Sequence, residues 1–446
     1  MTPGEARPYD PRMLSRPRLV ALAVLLLAGT GPVHAQEKLA FLIPTLFGPN
    51  GLTVDSEAHL PTGETHSAHF NSSFQANFSP FNTALGQRLA SVPLPAPASG
   101  FTYTFDPTLG VFNRSTRSFG PLVADRAETI GKNRASIGVA YQRFSFDSLD
   151  GIELGHISTV FTHDNPVAGT GRDDVITTDN AIAAEISQFT TYVSLGLTDW
   201  LDASVALPLV SADLAVTSRA TIHRIGTVNP AVHFFFEPED TFGDHMTFQK
   251  SGHANGIGDV ALRLKAAAVR RPGLGVSFGL EGRLPTGDEE NFLGAGAFAV
   301  RPFMVVSAPH GAVSPHLNVA YQWNGKSVLG GNVLTGEKGD LPDEAGFAAG
   351  ADFAVSKKVT LAFDVVGRRV IDGEQVAPET FHALDGHSEF PSVRFAKGSY
   401  NVFDGAVGLK ANPGGGLLLD LNVLFKLNDE GLRDRVTPLL GLEYSF

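Results

Sequence analysis

The chain has 446 residues, with 34 Lys plus Arg against 46 Asp plus Glu and no cysteine. The formal net charge of −12 argues against nucleic-acid binding, which depends on a basic surface that neutralises phosphates. The cysteine count excludes a disulfide framework, and a chain of this length can bury a core or close a sheet without one.

Residues 1–35 have the layout of a secretory signal peptide. Three arginines precede an apolar run over residues 19–28, which is followed by a small-residue site at 33–35. The run is too short for a membrane helix, which needs about 20 apolar residues. We therefore expect an exported mature chain that starts at Gln36 and has a net charge of −14, because residues 1–35 carry four Arg and two acidic side chains.

Residues 36–132 differ in kind from the rest of the chain, because prolines interrupt any long strand there. Ser79 followed by Pro80 is typical of the start of a helix. Apolar residues repeat at helical spacing on both sides of this point. We take these as apolar candidates for a plug: Phe74, Phe78, Phe81, Leu85 and Leu89. Residues 101–114 further predict a hairpin around a turn at 106–110.

From about residue 133 the chain consists of alternating segments, each long enough for a strand of about ten residues or more. In 417–428, for example, apolar side chains occupy one face and polar or charged side chains the other. Such alternation exceeds the length of most globular strands. The pattern predicts strands near 134–147, 185–198, 200–217, 256–270, 274–285, 297–308, 313–324, 344–356, 358–371, 398–411, 416–428 and 434–446.

The connections between these strands alternate between short and long. Tight turns are predicted at 198–200, 271–273, 309–311, 356–358 and 412–415. Longer connections lie near 148–184, 219–255, 286–296, 325–343 and 373–397, with a short one at 429–433. Outer-membrane barrels have short periplasmic turns and long outer loops, whereas a β-sandwich or propeller would show shorter strands without this alternation.

The sequence therefore predicts an all-β, transmembrane, up-and-down antiparallel β-barrel over residues 133–446, located in the cell outer membrane. Twelve strands are expected, with fourteen as the alternative. A barrel of twelve strands encloses more room than its own side chains fill. We therefore expect residues 36–132 to fold inside the barrel as a plug, with a cap over the periplasmic mouth as the alternative.

The chain ends on LGLEYSF, in which Leu440, Leu442, Tyr444 and Phe446 share one face of a strand. We expect Phe446 to face lipid at the inner aromatic girdle. A terminal aromatic residue after alternating apolar residues is similar to the C-terminal sorting signal of outer-membrane barrels. This resemblance implies recognition by the barrel assembly machinery.

Charged residues within the predicted strands are candidates for the lumen, because a midplane Arg or Lys on the lipid face costs about 2–4 kcal/mol. The predicted lumen-facing residues are Arg263, Lys265, Glu281, Arg283, Asp352, Asp364, Asp420, Lys426 and Glu443. With Arg368 and Lys410 added, the basic and acidic side chains nearly balance.

Apparent catalytic and metal motifs are weak. Residues 324–327 look like the end of a phosphate-binding loop, but Ala320 stands where its first glycine is needed. The 14 histidines form no pair at metal-ligand spacing, so we expect no catalytic residue and no cofactor. The acidic run Asp288, Glu289 and Glu290 is most simply a solvated loop. Its alternative role is divalent-cation bridging to lipopolysaccharide.

Three stretches carry a resemblance to a known family. They are GIGDVALRLK from Gly256, LEGRLPTGDEENFLGAGAFAVRPF from Leu280 and SPHLNVAYQWNGKSVLGGNVLTG from Ser314. Over 131–446 the chain resembles the outer-membrane transporter-like proteins grouped with the meta-pathway phenol-degradation family. It is more loosely similar, in architecture, to the long-chain fatty-acid outer-membrane transporters, which pair a barrel with an N-terminal plug.

The resemblance implies passive uptake of small hydrophobic or aromatic compounds through an outer-membrane channel that is not an enzyme. A polar-solute pore is the first alternative, because the predicted lumen is charged. A lipid-modifying enzyme embedded in the barrel is the second. The partners expected are outer-membrane lipid and lipopolysaccharide, the barrel assembly machinery through Phe446, and a small hydrophobic solute.

Overall fold

The computed structural model describes residues 37–48, 51–57, 70–71, 79–92, 103–106, 111–114, 117–121, 123–163, 165–236 and 241–446. Twelve of the 17 strands in its main sheet form the wall of a barrel. They are β1 (Ala135–Leu149), β2 (Val175–Gly196), β3 (Leu201–His223), β4 (Ala261–Arg271), β5 (Leu274–Arg283), β6 (Ala299–Ser307), β7 (Val313–Asn324), β8 (Asp343–Ala354), β9 (Val359–His382), β10 (Glu389–Gly414), β11 (Leu417–Lys426) and β12 (Val436–Ser445).

Each of these twelve strands pairs antiparallel with the next of the twelve in the sequence. The sheet then closes, because β12 pairs with β1 from Leu439↔Gln142 to Ser445↔Ser136. Closure leaves no free edge among the twelve strands. The prediction of a twelve-stranded up-and-down barrel is therefore confirmed.

Further strands and short helices accompany the twelve strands of the wall. The α-helix of the described residues, α1, comprises Ser79–Ala90, where the sequence predicts a helix. The other strands are Phe70–Asn71, Tyr103–Asp106, Val111–Arg114, Ile152–Glu153, Ile157–His163, His245–Ile257, Lys326–Asn332, Glu337–Asp340 and Leu432–Asp434. The 3₁₀ helices are Leu39–Phe41, Gly171–Asp173, Pro230–Val232 and Glu289–Asn291. Tyr103–Asp106 pairs with Val111–Arg114, which is the predicted hairpin.

Several strands extend well beyond their predicted ends, into what the sequence suggests are loops. β9 and β10 remain paired as far as His382↔Glu389, and β2 pairs with β3 as far as Val175↔His223. These extensions are held by backbone hydrogen bonds. Residues 373–382 do not alternate between apolar and polar side chains, so a search for alternation does not detect them.

The predicted strand over 256–270 is wrong at its start, because a break at residues 258–260 separates His245–Ile257 from β4. Both pieces pair with β3. At the break, the Asp259 carboxylate accepts hydrogen bonds from the backbone N–H of Gly287, at 3.0 Å, and of Ala295, at 2.7 Å. The connection between β5 and β6 therefore packs against the break.

The outer face of the wall is apolar over most of its height. We call this surface the apolar belt. Its members, all more than about a third exposed, include Leu262, Leu264, Phe278, Leu280, Leu317, Val319, Phe347, Phe363, Val365, Leu419, Leu421, Val423, Leu440 and Leu442. Each neighbour along the strand points to the opposite face, which is largely polar. Among the described residues, no helix combines the length and hydropathy needed to cross a membrane.

The last residue lies at the seam of the barrel. The backbone of Phe446 exchanges two hydrogen bonds with Ala135, at 2.9 and 3.0 Å. Its ring is 61% exposed and lies 6.0 Å from the ring of Tyr444. The C-terminus is therefore tied into the wall, while its role in assembly stays a prediction.

Candidate functional site

The nine charged residues proposed for the lumen lie on the face of the wall opposite the apolar belt. Seven of them are buried, and Arg263 and Lys426 are partly exposed. Lys426 lies near one rim, where its ammonium group contacts Asp147 at 3.3 Å and Asp429 at 3.0 Å. The others contact one another, the N-terminal segment or further polar side chains of the wall.

One group of these residues surrounds His316 on β7. Its Nε2 lies 2.6 Å from Asp364 Oδ1 and its Nδ1 lies 3.4 Å from Asp352 Oδ1. A second group lies on another part of the inner face, on β2, β10, β11 and β12. There Lys410 is 3.7 Å from Asp420, and the Tyr192 hydroxyl donates to Glu443 at 3.4 Å. Both groups are internal ion-pair and hydrogen-bond networks that hold charge away from the apolar belt.

Residues 117–121 and 123–130, which we call the crossing segment, run along the inner face of the barrel next to the tight turns. Their backbone N–H groups donate to four wall side chains, and Ser277 on β5 donates back to the carbonyl of Ala127. The four acceptors are Thr360 (2.9 Å) and Asp364 (3.2 Å) on β9, Ser307 (2.9 Å) on β6 and Asp202 (3.0 Å) on β3. The segment thus bridges distant strands of the wall.

Asp125 is the charged anchor of the crossing segment. Its carboxylate lies 2.8 Å from Arg263 Nη2 and 3.4 Å from Lys265 Nζ. Burial alone would raise the pKa of Asp125, but Lys265 and Arg263 together outweigh it and hold that pKa below its usual value. Asp125 is therefore an anion at neutral pH, and it ties the segment to β4.

α1 packs farther along the barrel, between the crossing segment and the long connections. Gln87 at its centre donates to Glu344 on β8, at 3.1 Å, and accepts from the Tyr400 hydroxyl on β10, at 3.3 Å. Thr83 donates to the carbonyl of Leu329 at 2.9 Å. The proposed apolar residues Phe81, Leu85 and Leu89 are buried. Phe74 and Phe78 lie outside the described residues.

The acidic run at 288–290 contacts the start of the described chain. Lys38 lies 2.6 Å from Glu290 and 3.3 Å from Asp288, and Lys338 lies 2.8 Å from Glu289. In the part of the chain that the structure describes, no group of three or more His, Asp or Glu side chains is arranged to hold a metal ion. The carboxylates instead tie two long connections and the N-terminal segment together.

A cavity lies between α1, the crossing segment and the inner faces of β4 to β11. Its volume is ≈ 90 Å³. Charged side chains in its lining are Arg88, Asp125, Arg263, Glu281, Arg301, Arg368 and Asp404. Apolar side chains in its lining include Val123, Phe303, Ala320, Ala348 and Leu424. The site is therefore a mixed compartment, with guanidinium groups beside an apolar surface.

Sequence reasoning missed several of these residues. Arg88 lies on a helix that the sequence indicates by its apolar side chains and not by its charged one. Asp125 lies in a segment without regular structure. Arg301 was detectable, because it shares a face of β6 with Phe303 and Val305, which are buried, and an arginine is costly on a lipid face. However, β6 has apolar residues on both faces, so its sequence alone does not show which face points inward.

A closed sheet of even strand number, with an apolar belt outside and polar side chains inside, is the architecture of an outer-membrane β-barrel. Residues 163–434 match the model of the family described as putative MetA-pathway of phenol degradation, and the chain belongs to this family. No curated protein matches the chain.

The chain also matches solved structures at low sequence identity. An outer membrane channel from Pseudomonas putida F1 is 12% identical, with a TM-score of 0.42, over 72% of this chain and 98% of that one. The toluene transporter TbuX of Ralstonia pickettii is 10% identical, with a TM-score of 0.33, over 80% and 100%. A FadL homologue from Pseudomonas aeruginosa is 11% identical, with a TM-score of 0.30, over 78% and 94%.

The apolar belt predicts a depth-dependent cost for a new charge. Leu421→Arg, near the middle of β11, is expected to lower the free energy of unfolding by about 2–4 kcal/mol, because the guanidinium meets hydrocarbon. Leu427→Arg, one residue past the same strand, should cost only about 0–1 kcal/mol. The two leucines are similarly exposed, at 56% and 51%. Denaturant unfolding in lipid vesicles measures both, and equal costs would contradict the position assigned to the belt.

Proposed function

We propose that the protein is an outer-membrane channel for the passive uptake of small hydrophobic or aromatic compounds, and that residues 36–132 are its plug. The observation that carries the proposal is the crossing segment, whose hydrogen bonds reach β3, β5, β6 and β9 across the inner face of the wall. A segment held in this way restricts an open aqueous pore. The family description, which refers to phenol degradation, supports aromatic compounds as solutes.

The cavity supports the same function. Its apolar side chains come from the plug and from the wall, so an apolar solute can make contacts on more than one side. A cavity of this kind suits an apolar solute that moves from one apolar surface to the next. A hydrated inorganic ion gains little from apolar contacts. We therefore propose step-wise movement of small apolar solutes along the interface between plug and wall.

Uptake into proteoliposomes tests the proposal. Vesicles with the protein should take up phenol or toluene several times faster than empty vesicles, while their swelling in arabinose should stay close to the background. Protein denatured before reconstitution is the control. Fast swelling in arabinose without any gain in uptake of the aromatic compound would favour a polar-solute pore.

That second function has one observation in its favour, which is the charge of the inner face. Arg283, for example, donates to Glu281 at 3.1 Å inside the wall, and such groups are typical of water-filled pores. We propose no enzymatic activity, and turnover of a lipid ester by the purified protein would overturn this. We also propose that the apolar belt contacts outer-membrane lipid, and that Phe446 is read by the assembly machinery.

A further inference from the structure

The cavity contains more cationic than anionic groups. Its lining has four arginines, Arg88, Arg263, Arg301 and Arg368, against three carboxylates, from Asp125, Glu281 and Asp404. Such an arrangement is unusual for a buried space, because an uncompensated charge away from water is costly. The ion pairs of the three carboxylates show which of these arginines they neutralise.

Each carboxylate already has close cationic partners. Asp125 lies 2.8 Å from Arg263, and Glu281 lies 3.1 Å from Arg283. Asp404 lies 3.5 Å from Arg368 and 2.6 Å from a further arginine, Arg433, whose side chain is buried. These close pairs do not include the other two arginines of the cavity, although Glu281 lies opposite Arg301 on the neighbouring strand.

The two remaining arginines are Arg88 and Arg301. Among the residues that the structure describes, neither has a carboxylate oxygen within ion-pair distance, 4.0 Å. Arg88 lies over the ring of Phe144, at 4.9 Å, and its Nε is buried without a hydrogen-bond partner in the described part of the chain. Arg88 comes from the plug and Arg301 from β6, so the two guanidinium groups reach the cavity from separate elements.

Apart from Ser91 and Asn318, the rest of the lining is apolar. Phe303 lies under the guanidinium of Arg263, at 4.2 Å, and Val123, Ala320, Ala348 and Leu424 complete the apolar surface. The volume of ≈ 90 Å³ accepts roughly six to nine water-sized groups at about 10–15 Å³ each. A single aromatic ring with one carboxylate is of this size.

We propose that this cavity binds a small aromatic carboxylate, with its anionic group between Arg88 and Arg301 and its ring on the apolar wall. A guanidinium pairs well with a carboxylate, because it offers parallel N–H donors. Binding would supply both arginines with a carboxylate at ion-pair distance. The inference rests on the proposed uptake function and names a class of solute for it.

Titration calorimetry on the full-length protein in detergent tests the proposal with three probes. Benzoate should bind about tenfold or more tightly than benzyl alcohol, which keeps the ring but lacks the charge. Benzoate should also bind more tightly than acetate, which keeps the charge but lacks the ring. Equal binding of benzoate and acetate would overturn the role of the apolar wall, and equal binding of benzoate and benzyl alcohol would overturn the anion site.

Variants locate the site. Arg88→Gln and Arg301→Gln should each weaken benzoate binding about tenfold, while Arg88→Lys, which keeps the charge, should lose less. Arg143→Gln is the matched control, because Arg143 is exposed and pairs with Glu185 on the outer side of the wall. Unchanged benzoate affinity in both glutamine variants would overturn the proposal. Because the two arginines lie on different elements, misfolding of one variant leaves the other as the test.

The outcome can be separated from that of the proposed function. If proteoliposomes take up toluene but benzoate does not bind, the uptake function stands and the anion site fails. If benzoate binds through both arginines but neutral aromatic compounds are not taken up, the site stands and the uptake function fails.

Discussion

Deleting residues 36–96 is expected to leave an inserted barrel and to raise its single-channel conductance several-fold. The deletion removes α1, in which Phe81 and Leu85 are buried. The hydrogen bonds from Gln87 to Glu344 and from Thr83 to Leu329 are lost with it. Twelve strands leave room that side chains alone do not fill, so water and ions should enter the vacated space.

Planar bilayer recordings measure the effect, with heat-modifiable mobility on gels as the check that the barrel is folded. The control is a short deletion of residues 383–388, which form the tip of the β9–β10 hairpin beyond the last pair, His382↔Glu389. It should leave the conductance unchanged. If the folded 36–96 deletion also conducts like the full chain, the segment does not occupy the lumen, and the plug proposal has to be dropped.

The barrel itself was readable from the sequence because its two environments differ sharply. In β11, Leu419, Leu421 and Val423 alternate with Asp420 and Asn422, and a strand between lipid and a polar interior requires this pattern. Turn residues at one end and long connections at the other then set the strand order. Each of these signals is local, so a single sequence is sufficient to read them.

The parts that the sequence did not reveal depend on contacts between distant residues. Nothing near Asp259 shows that its carboxylate will receive N–H groups from Gly287 and Ala295 and interrupt a strand. The partners of Asp125 are separated from it by more than a hundred residues. The cavity likewise combines Arg88 of α1 with Arg301 of β6, and only the closed fold places them together.

Asp125→Ala is expected to loosen the crossing segment and to lower the free energy of unfolding by about 3–5 kcal/mol, the usual cost of removing one partner from a buried ion pair. The substitution leaves Arg263 without its close carboxylate. Lys265 still contacts the carbonyls of Arg126 and Glu128, at 3.0 and 2.8 Å, so the loss should lie toward the lower end of this range.

The sign of the pH dependence follows from the pKa of Asp125, which is held below its usual value. The ion pairs of Asp125 contribute fully to the free energy of unfolding above the unfolded-state pKa, about 3.9. This stabilisation is lost as the pH falls through the lower folded-state pKa. The variant should therefore differ most from the native protein at neutral pH. In strong acid the difference should shrink, because the native carboxylate is then protonated as well.

Glu185→Ala is the matched control, since it removes the carboxylate of a surface pair, 2.6 Å from Arg143, and such pairs contribute about 0–1 kcal/mol. Denaturant unfolding at pH 7 compares the two variants, and bilayer recordings report the crossing segment directly. Asp125→Ala alone should add open-channel noise. Combined with the 36–96 deletion, it should increase the conductance further, because the deletion alone leaves the crossing segment in place. If Asp125→Ala and Glu185→Ala have the same small effect on both measurements, Asp125 does not anchor the segment.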